Sequence, residues 1–542
     1  MNVLGLHGGV TLGQHEPAAA LIVHGHVKAV FEEERYNRIK SSYGMFPEFA
    51  ITKILSAHNL RLDDVDLIVV PGITYGDVEA RWKNFLLDRF GSCPRIMVVH
   101  HQEAHLATAF YGCGVQSSLV FSLDGTGDAS CGFVARASRD TGIEIIEEIP
   151  TSNSLGFFYT LMTYFLGFID GDEYKVMGLA PYGNPTINLD SVIRVSSDGW
   201  ELNQDCINNS PQPKSPFEPL YSNRVGELLD MHPRARGALD DRYSDLASSV
   251  QLKFEEAMIA WMTKYLRDAS NIGFANNICY AGGCALNCSA NRKLLQSLPI
   301  GTNLYVSPLA SDRGLALGCA YLGAVDQGID PQPLNNAYLG EEYTPSEIEK
   351  ELTANGIKFE KLEDPSEAAS ADLNGDLVVG WFQGRSEAGA RALGNRSILA
   401  SAKTYEMRDK VNASIKYREK FRPFAPAILE TDVSKFYETT GRTYFPDMTI
   451  TLQATAAAIE KIPAVVHVDN TSRVQTVSNV NNQLFKYLIE AYSDLSDLPV
   501  VMNTSFNLKG QPIVESPRDA IMTFFGCGLD VLYLENYRIA KA

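Results

Sequence analysis

The chain has 542 residues, of which 45% are hydrophobic and 21% charged, and its formal net charge is −18. This length is too great for a single hydrophobic core and indicates two or three large domains. The negative charge argues against nonspecific binding to nucleic acid or anionic lipid, and no apolar run approaches the roughly 20 residues that a membrane span needs.

The N-terminal region contains one strand pattern twice. NVLGLHGG is a strand-like run closed by glycines, and HEPAAALIVHGHVKAVFEEE adds a second run, a tight turn at His24–His26 and a third run that ends in acids. SSLVFSLDGTGDASCGFVARASRDTGIEIIEEI, from Ser117 to Ile149, repeats this order. Each copy predicts a three-stranded meander with a Gly-rich first turn, whose backbone N–H groups suit a phosphate. The repetition suggests two related subdomains, as in actin-like ATPases; the alternative is two unrelated hairpins.

Helical stretches lie between these runs, and a second α/β region follows. PEFAITKILSAHNL and YSDLASSVQLKFEEAMIAWMTKYLRDA have the apolar spacing of amphipathic helices, and NNICYAGGCALNCSANRKLLQSL predicts a strand, a double-glycine turn and a helix. Residues 325–345 are rich in turn-forming residues, so we place a domain boundary there. A new α/β pattern follows in GDLVVGWFQGRSE, DKVNASIKY, QLFKYLIEAYSDL, LPVVMNTSFN and DAIMTFFGCGLDVLYLENYRI.

Three of the ten histidines fall within VVHHQEAHLATAF, from Val98 to Phe110. On a helix, His101 and His105 share one face, with about 5–6 Å between their Cβ atoms, so both imidazoles can ligate one metal ion. His100 projects about 100° away around the helix and is the weaker candidate. The alternative is a chance pair of histidines, because this spacing also arises without a metal.

The stretch is not the HExxH motif of metalloproteases. Position 102 is Gln, and the acid at Glu103 points away from the face shared by the two histidines. A metal site needs further ligands, and Asp124 and Asp312 are candidates because each follows an apolar strand-like run. The alternative for both is an ordinary polar residue at a strand end.

A cationic segment, from Arg385 to Arg422, interrupts the acidic chain. It holds ten Lys/Arg and four Asp/Glu, a local net charge of +6, so the remainder carries −24. Guanidinium groups beside small residues, as at Arg385, Arg391 and Arg396, suit bidentate binding of phosphate or carboxylate. The alternative is a solvated basic helix face.

A strand in VVMNTSFNLKGQPIVESP ends in a series of short polar side chains. These are Asn503, Thr504, Ser505 and Asn507. Such residues at the end of a strand are typical ligand contacts, and they equally cap turns.

The cysteines and the N-terminal sequence indicate the compartment. The nine cysteines are scattered, and the sequence has no CxxC pair. The start, MNVLGLHGG, lacks the basic and apolar regions of a signal peptide. We therefore expect a reduced, cytoplasmic protein with free thiols.

Together these residues resemble the NodU/CmcH-type O-carbamoyltransferase family. The resemblance extends from about residue 3 to 540, in family order and at family spacing. The matching stretches include AVFEEERYNRIK, HHQEAHLATAF, SLDGTGD, DEYKVMGLAPYG, AGGCALNCSANRKL, SPLASDRGLALGCAYLGA, GRSEAGARALGNRSILA, KYREKFRPFAPAIL, RVQTVS and NTSFNLKGQPIVESP.

The resemblance implies an α/β protein with two domains. Residues 1–345 would form a duplicated actin-like (ASKHA) domain like that of the tRNA threonylcarbamoyl-transfer enzyme TsaD, and residues 346–542 a YrdC-like domain. In the family, the C-terminal domain converts carbamoyl phosphate and ATP, with Mg²⁺ accompanying the nucleotide, to carbamoyl-adenylate. The N-terminal domain then passes the carbamoyl group to a hydroxyl of a small natural product. A homodimer that binds neither nucleic acid nor membrane is implied.

The resemblance also assigns residues by motif position. The ligands of an iron ion (Fe²⁺ or a similar divalent metal) would be His101, His105, Asp124 and Asp312. Carbamoyl phosphate and ATP would be bound by Arg391, Lys416, Arg418, Arg422, Arg473, Asn503 and Ser505, with Arg385 and Glu387 close by. The nucleotide pocket of the transfer domain would be lined by Gly125, Gly282, Gly283 and Asn287.

Two residues would act on the acceptor. His15 and Lys40 would lie near the transfer site by family position. His15 is the better candidate base, because the unperturbed pKa of histidine is near neutrality. The alternative for His15 is a structural turn residue.

The sequence departs from the family in two places. The family's first turn is shorter and reads Gly-His-Asp-Ser, whereas this chain has HGGVTLGQHEPAA, with Glu16 and Pro17 in place of Asp-Ser. Asn470 stands where the family often has Gly. The first turn faces the transfer site, so this departure concerns the acceptor side of the pocket.

Two other functions use the same fold classes. One is tRNA modification of the threonylcarbamoyl type, against which the net charge of −18 argues. The other is a non-catalytic actin-like ATPase, which leaves the four His/Asp residues and the cationic segment unexplained.

Overall fold

The structure is a computed structural model and describes residues 1–208, 220–235, 240–419 and 421–541. Unit 1 comprises Met1–Val70, Asp77–Met97 and Asp312–Ala542, and unit 2 comprises Pro71–Gly76 and Val98–Ser311. Unit 1 contains residues from both sides of position 345. The predicted division into an N-terminal and a C-terminal domain at that position stays a prediction.

The helices and strands are named in chain order. Residues 1–113 contain β1 (Asn2–His7), β2 (Ala18–Val23), β3 (His26–Glu32), α1 (Glu33–Asn37), α2 (Glu48–Ala57), β4 (Leu67–Pro71), α3 (Val78–Phe90), β5 (Ile96–Val99) and α4 (His101–Cys113). Residues 117–326 contain β6 (Ser117–Gly127), β7 (Ser130–Ser138), β8 (Gly142–Pro150), α5 (Leu155–Phe165), α6 (Glu173–Leu179), β9 (Ile193–Ser196), β10 (Gly199–Leu202), α7 (Asn223–Leu229), α8 (Asp241–Arg267), β11 (Asn277–Ala281), α9 (Cys288–Ser297), β12 (Asn303–Val306) and α10 (Leu315–Asp326).

The elements after residue 344 follow the same naming. They are α11 (Pro345–Ala354), β13 (Glu360–Lys361), α12 (Pro365–Asn374), β14 (Val379–Phe382), β15 (Arg396–Ser401), α13 (Tyr405–Val411) with a π-helical turn (Asn412–Lys416), β16 (Ala425–Leu429), α14 (Val433–Phe436), β17 (Thr451–Gln453), α15 (Ala456–Lys461), β18 (Thr471–Arg473), β19 (Gln475–Val477), α16 (Gln483–Ser496), β20 (Val500–Ser505), α17 (Pro517–Phe525), β21 (Val531–Leu534) and β22 (Tyr537–Ala540).

Two five-stranded sheets have the same strand order. One runs β3-β2-β1-β4-β5, and the other runs β8-β7-β6-β11-β12. In each sheet an antiparallel meander is followed by a strand that lies parallel to the first strand of the meander: β4 beside β1, and β11 beside β6. Both predicted meanders are therefore confirmed, and the common order agrees with the predicted duplication. The fold is of the mixed α/β class, as predicted.

Helix α10 lies directly on strand β1. A Cβ added to Gly5, in the middle of β1, would lie 1.8 Å from the carbonyl oxygen of Ala316, so the helix reaches the strand only because position 5 is glycine. This packing holds the turn before α10, which contains Asp312, near the end of β1, where His7 lies.

The C-terminal residues form an eight-stranded mixed sheet in the order β13-β22-β21-β14-β15-β20-β16-β19. Strand β20 lies antiparallel between β15 and β16, with Asn503 opposite Leu399 and Ala425. The segments predicted as α/β after residue 345 contribute β14, α13, α16, β20, α17, β21 and β22. Asn470 has φ 59°, a left-handed conformation that asparagine adopts more readily than other non-glycine residues.

Candidate active site

His101, His105 and Asp124 form a compact cluster in unit 2. Nε2 of His101 lies 3.3 Å, and Nε2 of His105 lies 3.6 Å, from the same Oδ2 of Asp124. All three side chains are almost completely buried. Each brings a ligand atom, and these atoms lie within 4.8 Å of one another. Two imidazoles and a carboxylate this close together could hold a metal ion.

The local sequence explains the two histidines. Helix α4 begins at His101, and the four-residue spacing brings the ring of His105 to 4.9 Å from that of His101. His100 is the N-cap of the helix: its Nδ1 accepts a hydrogen bond from the N–H of Gln102 at 3.1 Å. Its ring stacks on Phe133 at 4.6 Å. His100 is therefore outside the cluster, as the helical projection predicts.

Asp124 reaches the histidines because strand β6 bulges. The register of β6 against β7 shifts between Leu123 and Gly127, and a bulge of this kind re-aims the side chains within it. Oδ1 of Asp124 accepts a hydrogen bond from the N–H of Gly283 at 2.9 Å. The other oxygen, Oδ2, therefore points toward the two imidazoles. Hydrogen bonds of this kind commonly orient metal ligands.

Asp128 and Gly127 support the cluster, and the sequence analysis missed both. The buried carboxylate of Asp128 accepts hydrogen bonds from the N–H groups of residues 72–74, from the hydroxyl of Thr74 at 2.8 Å and from the N–H of His101 at 2.8 Å. A Cβ on Gly127 would lie 2.2 Å from Cγ of His101. The available signal was the second acid of SLDGTGD, which follows the bulge.

Asp312 lies in unit 1, in the turn Asp312–Gly314 that precedes α10, beside two histidines. Its Oδ2 is 3.5 Å from Nε2 of His7 and 4.0 Å from Nδ1 of His15. His7 is fully buried, whereas the side chain of His15 is 39% exposed and its ring meets that of Tyr43 edge-on at 5.4 Å. His7 was not predicted as a site residue, because it lies in an apolar strand pattern whose evident feature is the glycines that close it.

Lys40 is an exposed residue of the loop that follows α1. The next residue, Ser41, donates its N–H to Oε2 of Glu34 at 2.7 Å. Burial alone would raise the pKa of Glu34, but Arg313 above all, followed by Arg35 and Lys40, lowers it below its ordinary value. The loop that carries Lys40 is thus held by an ionised, buried carboxylate.

Lys416 joins the π-helical turn to the end of β20. Its Nζ contacts the carbonyl oxygen of Ser505 and lies 3.2 Å from the Ser505 hydroxyl, 2.8 Å from Oδ1 of Asn507 and 3.1 Å from the carbonyl oxygen of Asn507. Burial is the main cause that holds the pKa of Lys416 well below its ordinary value, and the charges of Arg418, Arg422 and Lys40 add to it. The Lys416 side chain therefore ties the π-helical turn to the strand end within a cationic surrounding.

Arg418 and Arg422 follow Lys416 in a tight loop. Arg418 donates from Nε to Oδ1 of Asn412 at 2.9 Å and stacks on the ring of Phe424 at 4.1 Å. Nη1 of Arg422 lies 3.8 Å from Glu419, and the Arg422 side chain is 22% exposed. Both side chains are partly buried, so part of each remains open to a ligand.

The end of β20 is tied to the loop after Arg391 and to β19. Nδ2 of Asn503 donates to Oε1 of Gln475 at 2.8 Å and to the carbonyl oxygen of Ala392 at 3.3 Å. These contacts bring together the segments that carry the half-buried Arg391 and Arg473. Oδ1 of Asn503 is buried without a hydrogen-bond donor in the described part of the chain, so it can accept from a ligand.

Two arginines of the cationic segment make structural contacts with backbone carbonyl oxygens, and an anion-binding role for either stays a prediction. Arg396 is fully buried and donates to the carbonyl oxygens of Gln383 at 2.8 Å and Gly384 at 3.0 Å. Arg385 donates to the carbonyl oxygens of residues 28, 339 and 340. Oε1 of Glu387 accepts from three backbone N–H groups between residues 393 and 396. The small neighbours of these arginines allow the guanidinium groups to reach the backbone.

The predicted nucleotide residues of the transfer domain have packing roles. A Cβ on Gly282, which has φ +92°, would lie 2.2 Å from the carbonyl oxygen of Leu123, and one on Gly283 would lie 2.7 Å from Oδ1 of Asp124. Asn287 caps α9 and exchanges two side-chain hydrogen bonds with Gln251, at 3.0 and 3.1 Å. The carbonyl oxygen of Gly125 accepts from the Ser154 hydroxyl at 2.7 Å. Their contact with a nucleotide stays a prediction.

Comparison with known proteins decides the family. The family models for the carbamoyltransferase N-terminus and C-terminus match residues 87–321 and 370–541. The nodulation protein NolNO of Sinorhizobium fredii (strain NBRC 101917 / NGR234) is 35% identical over 97% of this chain and 79% of its own length. The chain belongs to the carbamoyltransferase family. The 3′-hydroxymethylcephem-O-carbamoyltransferase of Streptomyces clavuligerus is 26% identical over 80% of this chain and 78% of its own.

As a member of the carbamoyltransferase family, the protein is a transferase enzyme. The N-terminal match contains the cluster in unit 2 together with Asp312, and the C-terminal match contains Arg391, Lys416 and Arg422, whereas His15 and Lys40 precede both matches. The solved structure of T. kodakarensis HypF aligns with a TM-score of 0.35 and 15% identity, over 61% of this chain and 48% of that chain.

All nine cysteines are free thiols in the structure, as the sequence predicts. Among the described residues, no helix has the length and apolar character that crossing a membrane requires. The cytoplasmic location and the homodimer stay predictions.

Proposed function

We propose that this carbamoyltransferase joins two half-reactions. In the first, carbamoyl phosphate and ATP yield carbamoyl-adenylate; in the second, the carbamoyl group passes to a hydroxyl of a small natural product. The observation that carries the proposal is the buried His101–His105–Asp124 cluster, because the family assigns a metal to these positions and their side chains lie close enough together to hold a metal ion. The proposed domains are an actin-like domain, residues 1–345, and a YrdC-like domain, residues 346–542.

The metal would be Fe²⁺ or a similar divalent ion. His101, His105 and Asp124 would supply two imidazoles and one carboxylate, a donor set that suits a divalent iron ion. Asp312 is proposed as a fourth ligand by its family position. When bound, the ion would act as a Lewis acid toward the carbamoyl oxygen.

His15 is the proposed base for the acceptor hydroxyl. Its side chain is partly exposed, so an acceptor can reach it, and its Nδ1 lies 4.0 Å from the Asp312 carboxylate, which stabilises the imidazolium formed when Nε2 takes the proton. Lys40, in the neighbouring exposed loop, would add a positive charge on the acceptor side.

The first half-reaction is placed at the end of β20. Carbamoyl phosphate would lose inorganic phosphate by hydrolysis to carbamate, whose oxygen then attacks the α-phosphate of ATP; pyrophosphate leaves and carbamoyl-adenylate forms. Arg391, Arg422 and Arg473 would bind the anionic groups, with Mg²⁺ on the nucleotide. Lys416 would hold Ser505 in place, and the unpaired Oδ1 of Asn503 would accept a hydrogen bond from the carbamoyl NH₂.

The direct test is mass spectrometry after incubation of the protein with ATP, Mg²⁺ and carbamoyl phosphate. We expect carbamoyl-adenylate, pyrophosphate and phosphate, and none of the adduct when carbamoyl phosphate is omitted. A folded, metal-loaded protein that forms no carbamoyl-adenylate would contradict the proposal. A screen of hydroxylated natural products, read as a mass increase of one carbamoyl group, then identifies the acceptor.

A further inference from the structure

Five charged side chains of unit 1, Glu16, Glu32, Glu34, Arg35 and Arg313, form a buried charge network. Each is between 3% and 12% exposed. Arg313 is at its centre: Nη2 lies 2.7 Å from Glu16 and 3.5 Å from Glu34, and Nε lies 3.2 Å from Oε2 of Glu32. Nε of Arg35 lies 3.3 Å from the same oxygen of Glu32.

One side of the network ends beside the proposed transfer residues. Two members of the network are sequence neighbours of these residues: Glu16 follows His15, and Arg313 follows Asp312. A third member, Glu34, accepts the N–H of Ser41, the residue after Lys40. A shift of the network therefore moves the backbone next to each of these residues.

The other side binds the loop that carries Arg391. Oε1 of Glu32 accepts the N–H of Gly389 at 2.6 Å, and Nη2 of Arg35 donates to the carbonyl oxygen of Gly389 at 3.0 Å. Both backbone groups of one residue are thus held by an ion pair that lies more than 350 residues away in the sequence. Arg391 is two residues further along this loop.

Such a network is better suited to fixing geometry than to adding stability. Burying carboxylates and guanidinium groups costs solvation free energy that ion pairing about balances. Burial alone would lower the pKa of Arg313, but the carboxylates of Glu16, Glu34 and Glu32 raise it further than burial lowers it, so the guanidinium keeps its charge. A planar guanidinium with several donors then holds its partners in fixed directions.

We propose that the charge network is a positioning frame. It holds the loop that contains Gly389 and Arg391, here called the Gly389 loop, at a fixed position relative to the residues around His15, Lys40 and Asp312. The proposal has two parts. The mechanical part, that the network holds the Gly389 loop in place, rests on the contacts alone; the catalytic part, that this affects the use of carbamoyl phosphate, rests on the proposed function. The frame has a specific consequence: a change at Arg313 alters the Gly389 loop. This is a coupled effect, since the ion-pair contacts of Arg313 are with Glu16, Glu32 and Glu34.

Hydrogen–deuterium exchange of the full chain tests the mechanical part. Arg313→Lys keeps the charge but removes the guanidinium fork, and Glu16→Gln, of equal size, removes one connection if the first variant fails to fold. We expect the N–H of Gly389 to exchange about tenfold faster in either variant, through the loss of coupled contacts. Faster exchange confined to residues 16, 32–34 and 313 would overturn the frame.

Asp372 supplies the matched control. Its carboxylate is bound by Arg538 at 2.9 and 3.0 Å, in unit 1 but outside the network. Asp372→Asn also breaks a carboxylate–guanidinium pair, and we expect the exchange of Gly389 to be unchanged. Equal acceleration in Asp372→Asn would mean that Gly389 reports general loosening, and it would overturn the specific role of the network.

Pyrophosphate release from ATP and carbamoyl phosphate tests the catalytic part. We expect Arg313→Lys to raise the KM for carbamoyl phosphate about tenfold, with a smaller change in kcat, because the loop that carries Arg391 is displaced. Faster Gly389 exchange with an unchanged KM would overturn the catalytic part. A wild-type protein that releases no pyrophosphate would refute the proposed function. The hydrogen–deuterium exchange result would still show whether the network holds the Gly389 loop.

Discussion

The N–H of Gly283 donates a 2.9 Å hydrogen bond to Oδ1 of Asp124, and this contact leaves Oδ2 for the two histidines. The double glycine therefore orients a metal-ligand candidate. This relationship predicts that Gly283→Ala weakens metal binding, because a Cβ at position 283 would lie 2.7 Å from Oδ1 and push the carboxylate away. Titration with Fe²⁺ under anaerobic conditions should show about a tenfold weaker Kd.

Gly273→Ala is the matched control, because a Cβ at position 273 meets no atom within 4 Å. Its Kd for Fe²⁺ should equal that of the wild type. Equal Kd values for Gly283→Ala and Gly273→Ala would contradict the orienting role of Gly283.

Asp128 should support both the metal cluster and the fold of unit 2. In Asp128→Asn, one acceptor oxygen becomes an NH₂ group that faces the N–H groups of the 72–74 loop, so several hydrogen bonds are lost. We expect the free energy of unfolding to fall by about 1–3 kcal/mol and the affinity for Fe²⁺ to decrease. Asp140→Asn removes an exposed carboxylate that binds Gln116 and should change neither quantity. Unaltered Fe²⁺ affinity in Asp128→Asn would show that the contact with His101 does not position the ring.

Arg422 should matter more to pyrophosphate release than Arg408, an arginine of the same cationic segment that pairs with Asp409. Arg422→Ala removes a charge-assisted contact to an anionic substrate, so kcat/KM for carbamoyl phosphate should fall about 10- to 100-fold. Arg422→Lys should recover part of this loss, because an ammonium group cannot make the bidentate contact. Arg408, which pairs with Asp409 on α13, provides the control Arg408→Ala, with near-normal kinetics. Equal losses at both positions would indicate a nonspecific effect of charge.

Glu33 should make the stability of unit 1 depend on pH. Burial, and to a lesser extent the charge of Glu48, raises the pKa of Glu33 to about 7, although the N–H of Ala50 binds its carboxyl at 2.8 Å. Because the folded state holds the proton more tightly than the unfolded state, stability should fall as pH rises from about 4.5 to 7 and then level off. The loss is at most about 3 kcal/mol.

Glu33→Gln removes this titration and keeps an acceptor for Ala50. The melting temperatures of variant and wild type should be similar at pH 5, and the variant should melt higher at pH 8. A constant difference between the two proteins across this range would rule out the proposed protonation of Glu33.

The sequence predicted those parts of the site that depend on local spacing. The four-residue spacing of His101 and His105, the turn at His24–His26 and the two meanders follow from short-range periodicity, and the structure confirms them. A hydrogen bond between a side chain and a backbone group far away in the sequence leaves no such pattern. Arg396 looked like an anion ligand because its neighbours are small, yet those neighbours allow it to bind carbonyl oxygens.

The contacts of Asp128 and His7 were also beyond the reach of the sequence. Asp128 accepts from residues 72–74, more than 50 positions away, and His7 lies against Asp312 because α10 packs on β1. The second acid of SLDGTGD is a signal for Asp128, but it does not identify the distant partners, and the immediate neighbours of His7 do not mark that residue. Only the assembled fold brings these partners together.

The central claim is that two separate sites carry out the two half-reactions, and the most direct measurement compares His105→Ala with Arg422→Ala. Both are incubated with ATP, Mg²⁺ and carbamoyl phosphate, and both are assayed for pyrophosphate and, with the acceptor found by screening, for carbamoylated product. His105→Ala should release pyrophosphate and form carbamoyl-adenylate at near wild-type rates but give no carbamoylated acceptor. Arg422→Ala should lose pyrophosphate release and recover transfer when carbamoyl-adenylate is supplied. If folded His105→Ala loses both activities equally, the two steps share one site and the account is wrong.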